Sequence, residues 1–227
     1  MSLANSYVES LRGGLVVSCQ ARADNPLHGP VFMAAMAKAA ELGGAVGIRA
    51  QGFDDIAAIV DATALPIIGI RKDFAAGDVY ITPSLADATI VRDAGAQIIA
   101  LDATDRPRPG GITAPELIRS IREELALPVM ADVDTVSAGL AAAEAGAELI
   151  ATTLSGYTGG SVPPEADYDL IAALVAEGLT VVAEGRIRDA RDVERAFGAG
   201  AFSVVVGTAV TNPWRITERL VSGLPPR

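Results

Sequence analysis

One junction recurs along the chain and dictates its architecture. Ala39–Ala50 (AAELGGAVGIRA), Arg92–Thr104 (RDAGAQIIALDAT), Ala143–Leu154 (AEAGAELIATTL) and Phe197–Thr208 (FGAGAFSVVVGT) each carry a helical stretch, a glycine and an immediate β-rich apolar run. Glycine takes the left-handed conformation on which helices commonly end, so each copy reads as a helix turning directly into a strand. A second type of run alternates with these: Ala64–Ile70 (ALPIIGI), Ala126–Val133 (ALPVMADV) and Gly178–Gly185 (GLTVVAEG). With Leu15–Gln20 (LVVSCQ) they place eight strands, starting near residues 15, 45, 66, 98, 128, 149, 180 and 202.

These runs are short and apolar on both faces, and amphipathic helical patterns such as Asp54–Ala62 and Asp167–Ala176 lie between them. Strands covered on both faces and separated by helices form a parallel sheet, and eight of them close into a barrel. The expected fold is an α/β protein with a single domain over residues 1–227, a (β/α)8 TIM barrel of the phosphate-binding type. A frayed tail is expected over Ser222–Arg227, where Gly223, Pro225 and Pro226 stop a helix. An open doubly wound sheet is the alternative, but no G-x-G-x-x-G follows the first strand. At 227 residues, half of them apolar, the chain has enough material for one barrel core.

Charge narrows the function classes. Twenty-eight acidic residues against 18 basic ones give a net charge of −10, which opposes attraction to nucleic acid or anionic membrane. An anionic substrate must therefore be met by a local site. The single cysteine, Cys19, excludes an internal disulfide and a C-x-x-C motif. No basic-then-apolar leader and no long uncharged apolar run are present, so a cytoplasmic location is expected. Of the 18 basic residues 16 are Arg, and the two lysines are Lys38 and Lys72. Lys38 reads as a solvated helix residue.

Barrel sites form at the C-terminal ends of the strands. There the sequence places Ser18 and Gln20, Arg49 and Gln51, Lys72, Asp102 and Thr104, then Asp132 and Asp134. Thr152, Thr153, Ser155 and Tyr157 follow strand 6, Glu184 and Arg186 strand 7, and Gly207 and Thr208 strand 8. Lys72 ends an apolar run, a setting that lowers an ammonium pKa and makes it a candidate base or Schiff-base nucleophile. Glu184, within VVAEGR, needs a cationic partner or a catalytic task, and Arg186 or Lys72 is the expected partner. Asp102 and Asp132 occupy equivalent strand ends, and their roles, with that of Asp134, stay undivided. Gly185-Arg186 and Gly207-Thr208 stand where barrels grip phosphate through backbone N–H groups, with Arg186 or Arg49 to add charge. His28 reads as a structural or substrate-side contact, and neither a metal nor a cofactor is indicated. Trp214 reads as packing at the bottom or edge of the last helix, or as an oligomer contact.

Several strings resemble one family: LVVSCQA (Leu15–Ala21) with PLH (Pro26–His28), GIRAQG (Gly47–Gly52), PIIGIRK (Pro66–Lys72), YITPS (Tyr80–Ser84) and ALDAT (Ala100–Thr104). TTLSGYT (Thr152–Thr158), EGRI (Glu184–Ile187) and VVGTAVTNP (Val205–Pro213) continue the match over nearly the whole chain. The sequence resembles the N-acetylmannosamine-6-phosphate 2-epimerase family. The resemblance implies interconversion of N-acetylmannosamine 6-phosphate and N-acetylglucosamine 6-phosphate in sialic acid catabolism, without a redox cofactor. It implies Lys72 as the catalytic lysine and Glu184 as its partnering carboxylate. Gln20, Arg49, Asp132 and Arg186 become substrate contacts, with phosphate at Gly185, Gly207 and Thr208. It carries no role for the loop from Thr158 to Asp169. A homodimer is weakly suggested by the Ala-rich helices and the Trp214 helix. Two rival readings remain: a Schiff-base phosphosugar aldolase acting through Lys72, and a non-catalytic phosphosugar-binding barrel.

Overall fold

The computed structural model describes residues 3–159 and 161–225, so Arg227 and Pro226 of the expected tail lie outside the described residues. Eight parallel strands close into one barrel: β1 (Leu15–Cys19), β2 (Gly47–Gln51), β3 (Ile67–Ile70), β4 (Ile98–Asp102), β5 (Val129–Asp132), β6 (Leu149–Ala151), β7 (Val181–Glu184) and β8 (Ser203–Val206). The ring is shut by β8 pairing with β1, Val16 opposite Val205. Helix α1 (Leu3–Glu9) precedes the barrel; α2 (Pro30–Leu42), α3 (Phe53–Ala62), α4 (Leu85–Asp93), α5 (Ala114–Ser120), α6 (Val136–Glu144), α7 (Tyr168–Ala176) and α8 (Ala190–Gly198) connect successive strands. Two more, α9 (Thr208–Thr211) and α10 (Pro213–Val221), follow β8.

The repeated junctions have the expected geometry. Gly44, Gly95, Gly146 and Gly200 have φ of +91°, +101°, +104° and +96°. At each, the amide after the glycine reaches five residues back, as in Ala45 N to Ala40 O at 3.0 Å and Ala147 N to Ala142 O at 3.0 Å. This is the Schellman closure, in which a left-handed residue lets the chain satisfy the last helical carbonyls while reversing toward the strand.

Strand alternation sorts the core into two parts. One cluster fills the barrel interior and includes Val16, Ile68, Ile70, Ile98, Ala100, Met130, Leu149, Ala151, Val182 and Val205. Leu11, fully buried after α1, closes the bottom of this interior. The other cluster lies between strands and helices and takes the alternate residues, among them Val17, Ile48, Ala50, Ile67, Ile99, Leu101, Ala131, Ala183 and Val204. Such interdigitation of two apolar layers is the main source of stability in a fold of this kind.

Candidate active site

Continuing the inner face by two residues at each strand's C-terminal end names the site. Val16 leads to Ser18 and Gln20, Ile70 to Lys72, Ala100 to Asp102, Met130 to Asp132, Ala151 to Thr153, Val182 to Glu184 and Val205 to Gly207. Arg49 projects inward between the outward Ile48 and Ala50. Seven strands thus deliver polar side chains to one end of an apolar barrel, as the sequence reading expects.

The centre is a charge cluster around Arg49, of which 1% is exposed. Its Nη2 donates to Asp132 Oδ2 at 2.5 Å, and Nη1 donates to Asp132 Oδ1 at 3.1 Å, to Thr153 Oγ1 at 3.2 Å and to Glu184 Oε2. Thr153 Oγ1 lies 2.7 Å from Asp132 Oδ1 and 3.1 Å from Glu184 Oε2. Thr152 binds the backbone of Glu184 in both directions, its hydroxyl donating to the carbonyl at 3.0 Å and accepting from the amide at 3.1 Å. The cationic partner of Glu184 is therefore Arg49, neither Arg186 nor Lys72. Asp102 is paired separately, with Arg106 Nη2 at 2.6 Å and the Thr104 hydroxyl at 2.7 Å. Asp134 makes none of these contacts.

Burial sets the proton affinities. It pushes the Asp132 and Glu184 carboxyls up, and the Arg49 guanidinium pulls both back; Asp132 adds to the rise at Glu184. Burial also works against the charge of Arg49, but Asp132 and Glu184 more than offset it and hold that guanidinium protonated. The Lys72 ammonium is brought down to about 8, first by burial and then by the like charge of Arg49, with Glu184 acting in the opposite sense. Among the described residues no carboxylate forms an ion pair with Lys72. Its position is fixed by the backbone instead: Lys72 and Ile81 form an antiparallel bridge, flanked by Asp73 N to Tyr80 O at 2.9 Å and Thr82 N to Arg71 O at 2.7 Å. The YITPS string thus folds back to anchor the catalytic-lysine candidate.

A cavity of about 560 Å³ opens above the cluster. Of the expected site residues, Gln20, Lys72, Glu184, Gly185, Arg186, Gly207 and Thr208 line it. Arg49 and Asp132 do not; they lie beneath its floor, where their contacts are to Glu184, to Thr153 and to each other. Arg186 lines the wall while its Nε and Nη1 donate to the carbonyls of Glu165 and Ser155, both at 2.5 Å, pinning the loop that carried no assigned role. Gly185 at φ +106° and Arg186 at φ +60° turn this corner in succession. Trp214, at the start of the last helix, α10, lines the cavity and is 42% exposed. His28 is exposed and meets the carbonyl of Ala21 at 3.1 Å, outside the cavity lining.

Arg22, Asn25, Tyr80, Arg215 and Arg219, none of them expected from the sequence as site residues, also line the cavity. Arg22, Asn25 and Tyr80 come from loops beyond the strand ends, and Arg215 and Arg219 from α10, so strand periodicity says nothing of them. Among the described residues no group of three or more His, Cys, Asp or Glu is placed to hold a metal ion. None of the described helices is long and apolar enough to cross a membrane.

Residues 33–224 match the family described as "Putative N-acetylmannosamine-6-phosphate epimerase". Two relatives carry the name "Putative N-acetylmannosamine-6-phosphate 2-epimerase". That of Caldanaerobacter subterraneus subsp. tengcongensis is 46% identical over 224 residues, 97% of this chain and 94% of its own. That of Cutibacterium acnes is 48% identical over 214 residues, covering 92% of this chain and 93% of its own. The solved N-acetylmannosamine-6-phosphate 2-epimerase of Clostridium perfringens superposes with a TM-score of 0.91 at 40% identity, covering 96% of both chains. With a closed eight-stranded barrel and Lys72 and Glu184 at its mouth, the chain belongs to the N-acetylmannosamine-6-phosphate epimerase family and is an isomerase of that family.

Proposed function

We propose that this chain interconverts N-acetylmannosamine 6-phosphate and N-acetylglucosamine 6-phosphate by moving the proton at C2. The reaction needs the ring opened, because only the C1 aldehyde makes the neighbouring C2–H acidic. Glu184 serves the ring hydroxyl proton: its Oε2 is held by Arg49 and Thr153, while Oε1 has no protein partner among the described residues. Lys72, with an ammonium brought down to about 8, is a base matched to neutral pH and moves the C2 proton. Inversion follows when the proton returns to the opposite face. Lys72 and Arg49 supply the positive field in which the enolate oxygen forms. The phosphate sits against the backbone of Gly185 and Gly207, beside Thr208, and Arg186 and Gln20 border the sugar.

The observation that carries this reading is the pairing of a half-buried, unpaired Lys72 with a Glu184 oxygen free at the same cavity wall. Purified protein should convert N-acetylmannosamine 6-phosphate to N-acetylglucosamine 6-phosphate in an NMR time course without added cofactor, and borohydride should trap no adduct. A substrate-dependent adduct on Lys72 would replace the reading with Schiff-base chemistry. A cytosolic setting belongs to the same reading and is supported by Cys19, a buried thiol without a bridge.

The partner on the protein side is a second copy of this chain. An apolar groove of about 540 Å³ is lined by Leu15, Phe32, Met36, Ala40 and Val210. Helix α10, which begins just past that groove, buries none of its residues and leaves Leu220 70% and Val221 56% exposed. Two-fold pairing of copies covers both apolar surfaces at once. Light scattering should give the dimer mass for the wild type and the monomer mass for Leu220→Glu; a wild-type monomer at all concentrations would exclude it.

A further inference from the structure

Thr153 makes contacts that its single hydroxyl cannot satisfy in every charge state. Its Oγ1 has one proton and two lone pairs. Arg49 Nη1, at 3.2 Å, occupies one lone pair. The proton and the remaining lone pair face two carboxyls, Asp132 Oδ1 at 2.7 Å and Glu184 Oε2 at 3.1 Å. If both carboxyls are ionised, one oxygen meets the hydroxyl with no proton between them. The set is complete only when one carboxyl is protonated, donates to Thr153, and Thr153 donates to the other.

We propose that Thr153 is a positioning residue that links the protonation of Glu184 to Asp132, donating its one hydrogen bond to whichever carboxyl is ionised. With Glu184 protonated, Thr153 donates to Asp132 and Glu184 Oε2 donates to Thr153. With Glu184 ionised, Thr153 turns its proton to Oε2, and Asp132 Oδ1, now carrying the proton of the pair, donates to Thr153. The shorter distance to Asp132 matches the first arrangement. In both, Oε1 keeps its place at the cavity while the proton count of the Glu184 carboxyl as a whole changes.

The geometry concentrates charge from every side of this hydroxyl. Arg49 comes from β2, Asp132 from β5 and Glu184 from β7, while Asp102 on β4, held by Arg106, acts on Asp132. Lys72 beyond β3 faces the same cluster, with Arg22 beside it. Removing the Thr153 donor from so crowded a set displaces the ionisation of Glu184, whereas a merely structural threonine would not. The inference rests on the epimerase reading for its consequence in catalysis, but the linkage itself is readable without substrate.

Carboxyl carbon NMR titrations of the wild type, Thr153→Val and Thr153→Ser, with signals assigned through Glu184→Gln and Asp132→Asn, test it. The expected result is a Glu184 midpoint raised by about one pH unit in Thr153→Val and unchanged in Thr153→Ser. The acid limb of the C2 proton-exchange rate should move with it. A Glu184 midpoint that is the same in Thr153→Val as in the wild type, or a Glu184 that stays ionised throughout, overturns the proposal. Absence of C2 exchange in the wild type would instead count against the epimerase reading, and the titration would still decide the linkage.

Discussion

Nη2 of Arg49 lies 2.5 Å from Oδ2 of Asp132, with 1% and 0% of the two side chains exposed. A pair so removed from water survives because it is bidentate and because Glu184 and Thr153 add further acceptors at Nη1, although the buried Nε of Arg49 has no hydrogen-bond partner among the described residues. Replacing Arg49 by Met leaves two buried carboxyls facing each other and should cost about 3–5 kcal/mol of stability. The pH dependence has a sign. Both carboxyls are already raised by burial, and without Arg49 they rise further, so the variant keeps more of its stability below those pKa values and loses it as pH rises through them. Urea unfolding at pH 5 and pH 8 should show the larger deficit at pH 8; equal deficits would contradict the assignment.

Lys72 behaves in the opposite sense. Its ammonium titrates at about 8 in the fold against 10.5 for the free side chain. Between those values the unfolded chain binds more protons, so native stability rises with pH there, and below 8 the charged lysine is a constant liability. Lys72→Met should therefore gain about 1 kcal/mol at pH 7 while activity is lost, the gain fading toward pH 10. Thermal melts at the two pH values check this.

The phosphate assignment is tested at Gly185. An added Cβ would meet nothing closer than 3.8 Å, so the penalty of Gly185→Ala comes from its φ of +106° and not from a clash. Strain of about 1–3 kcal/mol at that corner should shift the backbone N–H groups and raise KM about tenfold, with kcat within a few-fold. A fall in kcat at unchanged KM would place the corner in the chemistry instead.

Cys19 is fully buried in the layer between strands and helices, and burial pushes its thiol up to about 12. Ellman's reagent at pH 8 should leave the native protein unlabelled and react with one thiol per chain in denaturant. Rapid labelling of the native state would mean that β1 opens to solvent.

Most of the barrel was legible because its signals are local. A glycine that closes a helix and a short apolar run that follows it are neighbours in sequence, and all eight strands begin within two residues of the expected positions. Lys72, Glu184 and the glycine corners were legible for the same reason, since they follow strand ends directly. The partner of Glu184 was not. Arg49 stands 135 residues away, on the far side of the ring, and only the closed register lets a long guanidinium cross the barrel to it. Arg186, next but one in sequence, was the natural expectation, yet the left-handed turn at Gly185 and Arg186 swings it outward onto the loop carbonyls of Ser155 and Glu165. Thr153 was visible as a strand-end residue without a role. Its meaning appears only when Asp132 and Glu184 are seen on either side of it.

In the proposed chemistry Lys72 moves the proton at C2. Incubating N-acetylglucosamine 6-phosphate with enzyme in D2O and following the C2 proton by NMR tests it directly. The wild type should wash deuterium into C2, and Lys72→Ala, with an unchanged circular dichroism spectrum and a melting temperature no lower than the wild type's, should show none. Exchange at C2 in Lys72→Ala at the wild-type rate would remove Lys72 from the chemistry.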